Sequence, residues 1–478
     1  MDMSRLSQRF HARVRRPLAP TVLAGLLACA SCAALAQASP SFVIRGFDIT
    51  GDNPLADGEA SRILAPYLRS DATIETLQKA TAALEKVLKD KGFALYRVSL
   101  PPQEVGKSVT LNIVKFVIGK VTIEGQGAYS TANIRDSLPE LREGATPNFN
   151  RLAVQTAIAN ESAGKQVQVA LKESEEGDKI DARIVVQAAK PWSLSLSESN
   201  AGTSATGNDR LTLAGTHSNL WDADHQLTAA YTTSLERPGD VRQLGLNYRA
   251  PFYRQGLVLG ASITRSDVVG NFGAFSSTGA GQTWGLNLNH YLAPNGGYRG
   301  YLTFGVDDKQ FDITQINGQP LAGQQVRRSR PLSLGYNARS ESDTSVWTYN
   351  MELLGNLGGG SGNDLAAYQS EDARITTTAW RALRGGGTYF ASFSQGWTWG
   401  LRGQFQLSGD ALISGEQFGL GGASSVRGSS ERALSGDSGL LLSTELTTRE
   451  IMPGLRLIGF IDAGWLSNRN PNGNPKPS

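Results

Sequence analysis

The sequence has very little of the residues that reactive or metal-binding sites need. Of its 478 residues only two are cysteines, Cys29 and Cys32, and four are histidines. Both cysteines lie within the first 36 residues, a segment that we expect to be removed, so the rest of the chain has no disulfide and no cysteine-ligated metal. His217, His225 and His290 lack a spacing such as His-x-x-x-His. We therefore expect no cofactor and no metal.

An excess of charge of one sign is also missing. The chain has 46 basic and 43 acidic residues, of which five basic and one acidic lie in residues 1–36. Residues 37–478 therefore have 41 basic and 42 acidic residues and a net charge of −1. This balance gives no support to a nucleic-acid partner.

Long apolar runs are missing as well, apart from one near the N-terminus at residues 18–35. Basic residues precede this run, and the small-x-small string Ala-Leu-Ala at 34–36 follows it. The pattern predicts a secretory signal peptide over residues 1–36. Two alternatives remain. A membrane anchor is disfavoured because Pro20 and Ser31 interrupt a short run, and a lipoprotein signal ending at Cys29 fits poorly because Leu27 precedes Ala28.

Without a second such run, residues 37–478 could cross a bilayer only as a closed β-barrel. From residue 191 the sequence is rich in Gly, Ser, Thr, Asn and aromatic residues, with apolar and polar residues alternating in runs of about ten. The clearest run is residues 397–408, and residues 257–263 and 284–289 repeat the pattern. In the first run one face has Trp397, Trp399, Leu401, Phe405 and Leu407, and the other has Thr398, Arg402, Gln404, Gln406 and Ser408. Such alternation is typical of transmembrane barrel strands, although a soluble β-sandwich would also alternate.

An internal repeat precedes these runs. The string FDITG at 47–51 recurs as VTIEG at 121–125, an offset of 74 residues. Apolar spacing predicts a helix from Ile74 that Gly92 ends, then strands at 93–100 and 109–117. In the second copy Ser130 and Asn148 are candidate helix caps. A hairpin follows at 167–171 and 180–186. Each copy thus reads strand, helix, helix, strand, strand; a single unrelated α+β domain is the alternative.

Two short strings near the C-terminal end place opposite charges among glycine and apolar residues. Arg427 lies in Ser-Val-Arg-Gly at 425–428, and Asp462 lies in Phe-Ile-Asp-Ala-Gly at 460–464. A guanidinium and a carboxylate can form a bidentate pair, which would hold the loop inside a barrel. We predict that the two side chains are in contact.

These strings, with EQFGLGG at 416–422 and GDSG at 436–439, resemble the outer-membrane transporters of two-partner secretion, the haemolysin secretion/activation (ShlB/FhaC/HecB-type) proteins. The resemblance implies two α+β periplasmic POTRA domains, at 37–116 and 117–190. A transmembrane antiparallel β-barrel would follow at 191–478. In the family an aromatic residue usually follows the glycine of the arginine string, where this chain has Ser429.

By this resemblance, the protein would sit in the outer membrane with its N-terminal domains in the periplasm and export a large haemolysin- or adhesin-like exoprotein. It would contact outer-membrane lipid as a monomeric barrel. The residues of the implied transport lock are Val426, Arg427, Gly428, Phe460, Asp462 and Gly464. A sheet edge could bind the extended cargo; the residues of this candidate edge are Val167, Val169, Leu171, Ile184 and Val186.

Three other functions are weighed against this one. An outer-membrane assembly protein or insertase of the same superfamily usually has more POTRA copies, so two copies favour secretion. A plain porin or receptor would lack the repeat. The string GDSG at 436–439 resembles a serine-protease nucleophile, but the triad needs a histidine and an aspartate at that serine, and the three histidines fall in predicted strands or turns. We therefore expect no enzymatic activity.

The strand count leads to one further expectation. We count about thirteen strands, whereas the family barrel has about sixteen and bacterial barrels have an even number. After Trp465 there is only a polar tail rich in Asn and Pro. Open strand edges are not tolerated in lipid. We expect a barrel that is incomplete at its C-terminus, from a fragment or a truncated gene, and that does not transport on its own.

Overall fold

The computed structural model of the chain describes residues 41–104, 108–203, 206–272, 274–316 and 319–474. The predicted signal peptide at 1–36 lies outside the described residues. Within the described part of the chain, no helix is both long enough and apolar enough to cross a membrane.

The first unit is a three-stranded sheet covered by helices. Its elements are β1 (Gly46–Gly51), α1 (Glu59–Leu64), α2 (Ile74–Asp90), β2 (Tyr96–Ser99) and β3 (Ser108–Lys115). The sheet order is β1-β3-β2, with β1 parallel to β3. Leu77, Leu84 and Leu88 recur at helical spacing in α2 and are all buried against the sheet. Gly92 has a φ of +90°, so the predicted helix end is confirmed.

The second unit repeats this order. Its elements are β4 (Val117–Glu124), α3 (Thr131–Ser137), α4 (Phe149–Ala159), β5 (Lys165–Glu173) and β6 (Lys179–Ala188), and the sheet order is β4-β6-β5. Both predicted caps are confirmed: Ser130 accepts a hydrogen bond from the Asn133 amide, and Asn148 accepts from the two amides of Asn150 and Arg151. Val117 begins β4 rather than ending β3, and β2 is shorter than the predicted strand at 93–100.

The two units are joined end to end through their longest helices. At the C-terminal end of α2, the carbonyls of Lys91 and Asp90 accept hydrogen bonds from the side-chain amides of Asn148 (2.9 Å) and Asn150 (3.1 Å). The backbone amide of Phe149 donates to the carbonyl of Gly92 at 2.8 Å. Free carbonyls of one helix end are thus satisfied by donors at the start of the other.

Most of the described chain after residue 191 forms one large antiparallel sheet, in which thirteen strands each pair with the next. The strands are β7 (Trp192–Ser199), β8 (Arg210–Leu220), β9 (His225–Thr233), β10 (Arg242–Phe252), β11 (Leu257–Ser266), β12 (Gly281–Tyr291), β13 (Tyr298–Phe311), β14 (Pro331–Glu341), β15 (Ser345–Asn356), β16 (Arg381–Phe393), β17 (Trp397–Ser408), β18 (Ser438–Thr447) and β19 (Ile458–Ser467). A short strand, Arg327–Ser329, also pairs with β13. Over the described residues, the thirteen strands of this path agree with the predicted number of about thirteen, and the short strand makes the sheet fourteen-stranded. Among the described residues, β7 and β19 each pair on one side only.

The two faces of the sheet differ as the alternation predicts. In β17, Trp399 and Leu407 are exposed on the outer face, whereas Gln406 and Ser408 are buried on the inner face. Trp347, Tyr389 and Trp399 meet edge to face at centroid distances of 5.8 and 5.7 Å on the outer face of neighbouring strands. Apolar and aromatic side chains outside and polar ones inside are the pattern of a membrane-spanning sheet.

Two long connections pack together at one end of this sheet. The connection at 357–380 contains α5 (Leu365–Gln369), and its Tyr368 and Trp380 are fully buried beside Leu412 and Ile413 of the connection at 409–437. The second connection then turns back along the inner face of the sheet. We call residues 409–437 the inner loop.

Candidate functional site

Arg427, in the inner loop, contacts Asp462 on β19, as predicted. Its Nε and Nη2 donate to the two oxygens of the Asp462 carboxylate at 2.7 and 2.6 Å, and its backbone amide donates at 3.1 Å. The side chain of Asp462 is only 4% exposed. This is a bidentate, charge-assisted pair, the strongest kind of side-chain hydrogen bonding in proteins.

The local backbone explains how the arginine reaches this position. Gly428 has a φ of +85°, and Gly421 and Gly422 have φ of +116° and +97°, conformations in which a side chain would be strained. At Gly464, two residues after Asp462, a Cβ would overlap the side chain of Leu420. The loop can therefore lie directly on β19 because this position has no side chain.

Three further side chains hold Arg427. Of these, only Phe460 is predicted from the sequence. The guanidinium carbon lies 3.6 Å from the ring centroid of Phe460, a cation–π contact. Ser443, on β18, accepts from Arg427 at 3.2 Å and donates to Asp462 at 2.6 Å. Arg427 also forms a salt bridge with Glu445. Ser443 and Glu445 were missed, although their spacing of two residues places both on the inner face of one strand.

Ser429 does not replace the aromatic residue usual in the family. It is exposed, and its hydroxyl donates to the carbonyl of Val426 at 2.7 Å. The aromatic ring that packs against Arg427 is that of Phe460.

The start of the inner loop is held by a separate buried cluster around Glu416. Its carboxylate lies 3.2 Å from the Lys309 ammonium and 2.9 Å from the Arg384 guanidinium, and it accepts from the Ser329 hydroxyl at 2.6 Å. The side chain of Glu416 is fully buried. Its partners lie on β13, β16 and the short strand Arg327–Ser329.

Asp437, at the other end of the inner loop, is also fully buried. Its carboxylate accepts from the Leu412 amide (2.9 Å), the Gln417 side chain (3.2 Å), the Arg374 guanidinium (3.1 Å) and the Arg469 amide (2.7 Å). Asp437 is the aspartate of the string GDSG. The serine of that string, Ser438, is buried and exchanges hydrogen bonds with the backbone of Ser408. This string is therefore part of the support of the loop.

The predicted cargo edge is partly wrong. Ile184 and Val186 lie on β6, which is the central strand of its sheet, and their side chains are buried. Ile184 pairs with β4 on one side and with β5 on the other, and Val186 pairs with β5. β5 is the edge strand. The offset of 74 residues predicts the hairpin but not which of its strands is at the edge of the sheet. The second strand of the hairpin, β6, pairs with β4, so the first strand, β5, is left at the edge.

On β5 the open part of the edge is shorter than predicted. The backbone amide and carbonyl of Val167 point away from β6, but both are hydrogen-bonded to the Asn160 side chain. The Val167 amide donates to the Asn160 side-chain oxygen at 2.6 Å, and the Asn160 side-chain nitrogen donates to the Val167 carbonyl at 3.0 Å. Because orientation alternates along a strand, the backbone groups of Val169 and Leu171 point the same way. These two residues are the remaining candidates for the edge.

The second unit is attached to the large sheet by a buried ion pair. Lys165, the first residue of β5, donates to Asp224 at 2.6 Å and to Asn133 at 2.7 Å, and the Lys165 and Asp224 side chains are almost fully buried. The hydroxyl of Tyr253 donates to the same aspartate at 2.6 Å. Burial lowers the pKa of the Lys165 ammonium, and the charge of Asp224 opposes this change.

A cavity of about 590 Å³ lies between the end of α4 and the inner face of the sheet. Its lining includes Glu161 of the second unit and Tyr301, Arg339 and Arg402 of the sheet. Glu161 also lies 2.7 Å from Arg249 on β10. Over the described ranges, no group of three or more His, Cys, Asp or Glu side chains could hold a metal ion.

Comparisons with known proteins agree with this architecture. Residues 178–476 match the family model of the haemolysin secretion/activation proteins ShlB/FhaC/HecB, and residues 42–115 match the ShlB-type POTRA domain. The chain is 22% identical to the outer membrane transporter CdiB of Dickeya dadantii over 443 residues, which covers 90% of this chain and 77% of the relative. It is 22% identical to the heme/hemopexin transporter protein HuxB of Haemophilus influenzae over 397 residues, which covers 81% and 68%.

Solved structures show the same fold. CdiB from Escherichia coli matches with a TM-score of 0.72 and 19% identity, over 92% of this chain and 83% of that chain. CdiB from Acinetobacter baumannii matches with a TM-score of 0.69 and 16% identity, over 90% and 81%.

Proposed function

We propose that the contact of Arg427 with Asp462 and Glu445 holds the inner loop in place and so closes the export path; we call this contact the lock. The chain belongs to the haemolysin secretion/activation protein family ShlB/FhaC/HecB, whose members are outer-membrane transporters of two-partner secretion. The protein is an outer-membrane transporter that exports a partner exoprotein, with its N-terminal POTRA domain in the periplasm. The matched family is that of secretion transporters rather than of assembly factors.

The position and exposure of the Arg427 contact support this role. The inner loop lies against the inner face of the sheet, where an exported chain must pass. Its tip is held by one guanidinium whose partners, Asp462 and Glu445, lie on two adjacent strands. The Arg427 side chain is 24% exposed. The Glu445 side chain is 38% exposed and water reaches the Arg427 side of the contact with Asp462, so both contacts break at lower cost than a fully buried pair and are suited to open and reclose.

The cargo reaches the lock from the periplasmic side. We propose that residues 117–190 are a second POTRA domain and that an extended cargo segment pairs with β5 at Val169 and Leu171. β5 starts at Lys165, which is buried against the large sheet, so a strand added there would point toward the barrel interior. The outer face of residues 191–478 would contact lipid, and one chain would form one barrel.

The test of the lock compares export by Arg427→Ala, Asp462→Asn and the exchange Arg427→Asp/Asp462→Arg. We expect each single change to reduce the partner exoprotein in the culture medium about tenfold, which corresponds to about 1.4 kcal/mol, because the loop can then open but no longer recloses in its anchored position. The exchange should export more than either single change, because opposite charges again face each other. The matched control is Arg242→Gln, which breaks an exposed pair with Asp267 far from the loop. Normal export by Arg427→Ala would contradict the lock.

A further inference from the structure

The inner loop is attached to different parts of the sheet at its base and at its tip. Glu416, at the base, contacts Lys309 on β13 and Arg384 on β16. Arg427, at the tip, contacts β18 and β19. Four strands separate β13 from β18 in the sheet order, whereas only β17 separates β16 from β18, and Asp437 directly precedes β18. The loop therefore crosses part of the barrel interior and is anchored once at its base and once at its tip.

A short ribbon separates base and tip. Residues Phe418–Leu420 pair antiparallel with Leu434–Gly436. Beyond the ribbon, the Arg432 amide donates to the carbonyl of Gly421 at 3.3 Å, and its guanidinium binds the carbonyls of Ser414 and Gln417. The tip is thus residues 422–431, and Gly421 and Gly422, with positive φ, lie where it leaves the ribbon. A few such residues are enough to absorb the rotation of a hinge.

The two anchors also differ in burial. At the base, the side chains of Glu416, Asp437 and Arg374 are fully buried, while Lys309 and Arg384 are 17% and 27% exposed. At the tip, Asp462 is 4% exposed, and Arg427 and Glu445 are 24% and 38% exposed. Breaking the pair of Arg374 and Asp437 leaves an uncompensated charge away from water, but at the tip the Arg427 and Glu445 side chains already reach solvent. The tip is therefore the end that releases first.

We propose that Glu416 and Asp437 are positioning residues that keep the base of the inner loop fixed while the tip swings about Gly421 and Gly422. Opening is then a local swing of residues 422–431, and the whole loop does not leave the barrel. This inference rests on the proposed role of Arg427 as the releasable contact.

Two buried serines allow a test with the full chain in detergent micelles. After Cys29 and Cys32 are replaced by serine, Ser443→Cys reports on the tip, because Ser443 lies under Arg427, and Ser329→Cys reports on the base, because Ser329 binds Glu416. A maleimide reagent labels each introduced thiol when it becomes accessible. In Asp462→Asn we expect the labelling rate at position 443 to rise about tenfold or more, because the loss of one contact shifts the equilibrium toward the open tip. The labelling rate at position 329 should stay unchanged.

The possible outcomes separate the two proposals. Equal rises at 443 and 329 in Asp462→Asn would overturn the fixed base, since the loop would then move as a whole. No rise at either position would overturn the lock role of Arg427, and the hinge with it. Glu416→Gln should raise labelling at both positions, and no rise there would overturn the positioning role. If Glu416→Gln does not fold, the comparison of positions 443 and 329 in Asp462→Asn alone decides whether the base of the loop stays fixed. The control Asp267→Asn should leave both rates unchanged.

Discussion

Arg427 is shared by two carboxylates that differ in their exposure to water. Asp462 is 4% exposed and accepts three hydrogen bonds from Arg427, one of them from the backbone. Glu445 is 38% exposed and contacts a single guanidinium nitrogen. The near-buried partner therefore contributes more to holding the tip than the partly exposed one.

We predict that Glu445→Gln weakens the lock much less than Asp462→Asn. The loss for Glu445→Gln should be about 0.5 kcal/mol, as for partly exposed pairs, whereas the loss for Asp462→Asn should be about 1.4 kcal/mol or more, because Asp462 is nearly buried. Maleimide labelling of Ser443→Cys, combined in turn with each of the two changes, measures the difference. A larger effect for Glu445→Gln would show that Asp462 is not the main partner.

At the scale of single elements, the edge of β5 is blocked by a side chain from the end of α4. We predict that Asn160→Ala raises the hydrogen-exchange rate of the Val167 amide about tenfold or more, because its hydrogen-bond acceptor is lost. Exchange of the full chain read by mass spectrometry measures this rate. Asn160→Asp is the matched control: it keeps the acceptor and should keep the amide protected. Unchanged exchange in Asn160→Ala would mean that another group covers the edge.

The helix α3 provides a prediction about pH. Arg135 donates two hydrogen bonds to Glu143 at 3.0 and 2.9 Å and lowers the pKa of that carboxyl from 4.5 to about 2. The resulting stabilisation is present above pH 4.5 and is lost as the pH falls to about 2. Since both side chains are largely exposed, Glu143→Gln should cost about 1 kcal/mol or less at pH 7.

The cost of Glu143→Gln should disappear near pH 2, which denaturant unfolding at several pH values checks. Arg135→Met should remove the same pH-dependent contribution to the free energy of unfolding. A constant cost from pH 7 to pH 2 would contradict the assignment to this pair.

For the whole molecule, the buried pair of Lys165 and Asp224 couples the second unit to the large sheet. Lys165→Met would leave Asp224 buried without its counter-charge, so we expect the joint to lose about 3–5 kcal/mol. Proteolysis at the connection 189–191 in the full chain measures this loss. In the separate segment 37–190, which we expect to fold alone, the same change should have an effect within about 0.5 kcal/mol. Lys172→Met, an exposed change on the same strand, is the matched control.

Local patterns alone were enough to predict the order of the elements. Gly92 ends α2, Ser130 and Asn148 cap helices, and the alternation at 397–408 marks a strand with unlike faces. Each of these signals depends on residues close in sequence, because helix capping and strand alternation act over a few residues. The contact between Arg427 and Asp462 followed from two opposite charges placed among glycine and apolar residues, and the resemblance of the strings added the family.

The partners of the site depend on segments that are distant in the chain. Glu445 joins Arg427 and Glu416 joins Lys309 only because loops and strands meet in three dimensions. The misplaced edge at Ile184 and Val186 has the same cause, since the strand order of a sheet is set by pairing between distant strands. The sequence by itself thus determined the elements and the family, whereas only the tertiary structure decided which charges are buried, which edge is open and what holds the loop.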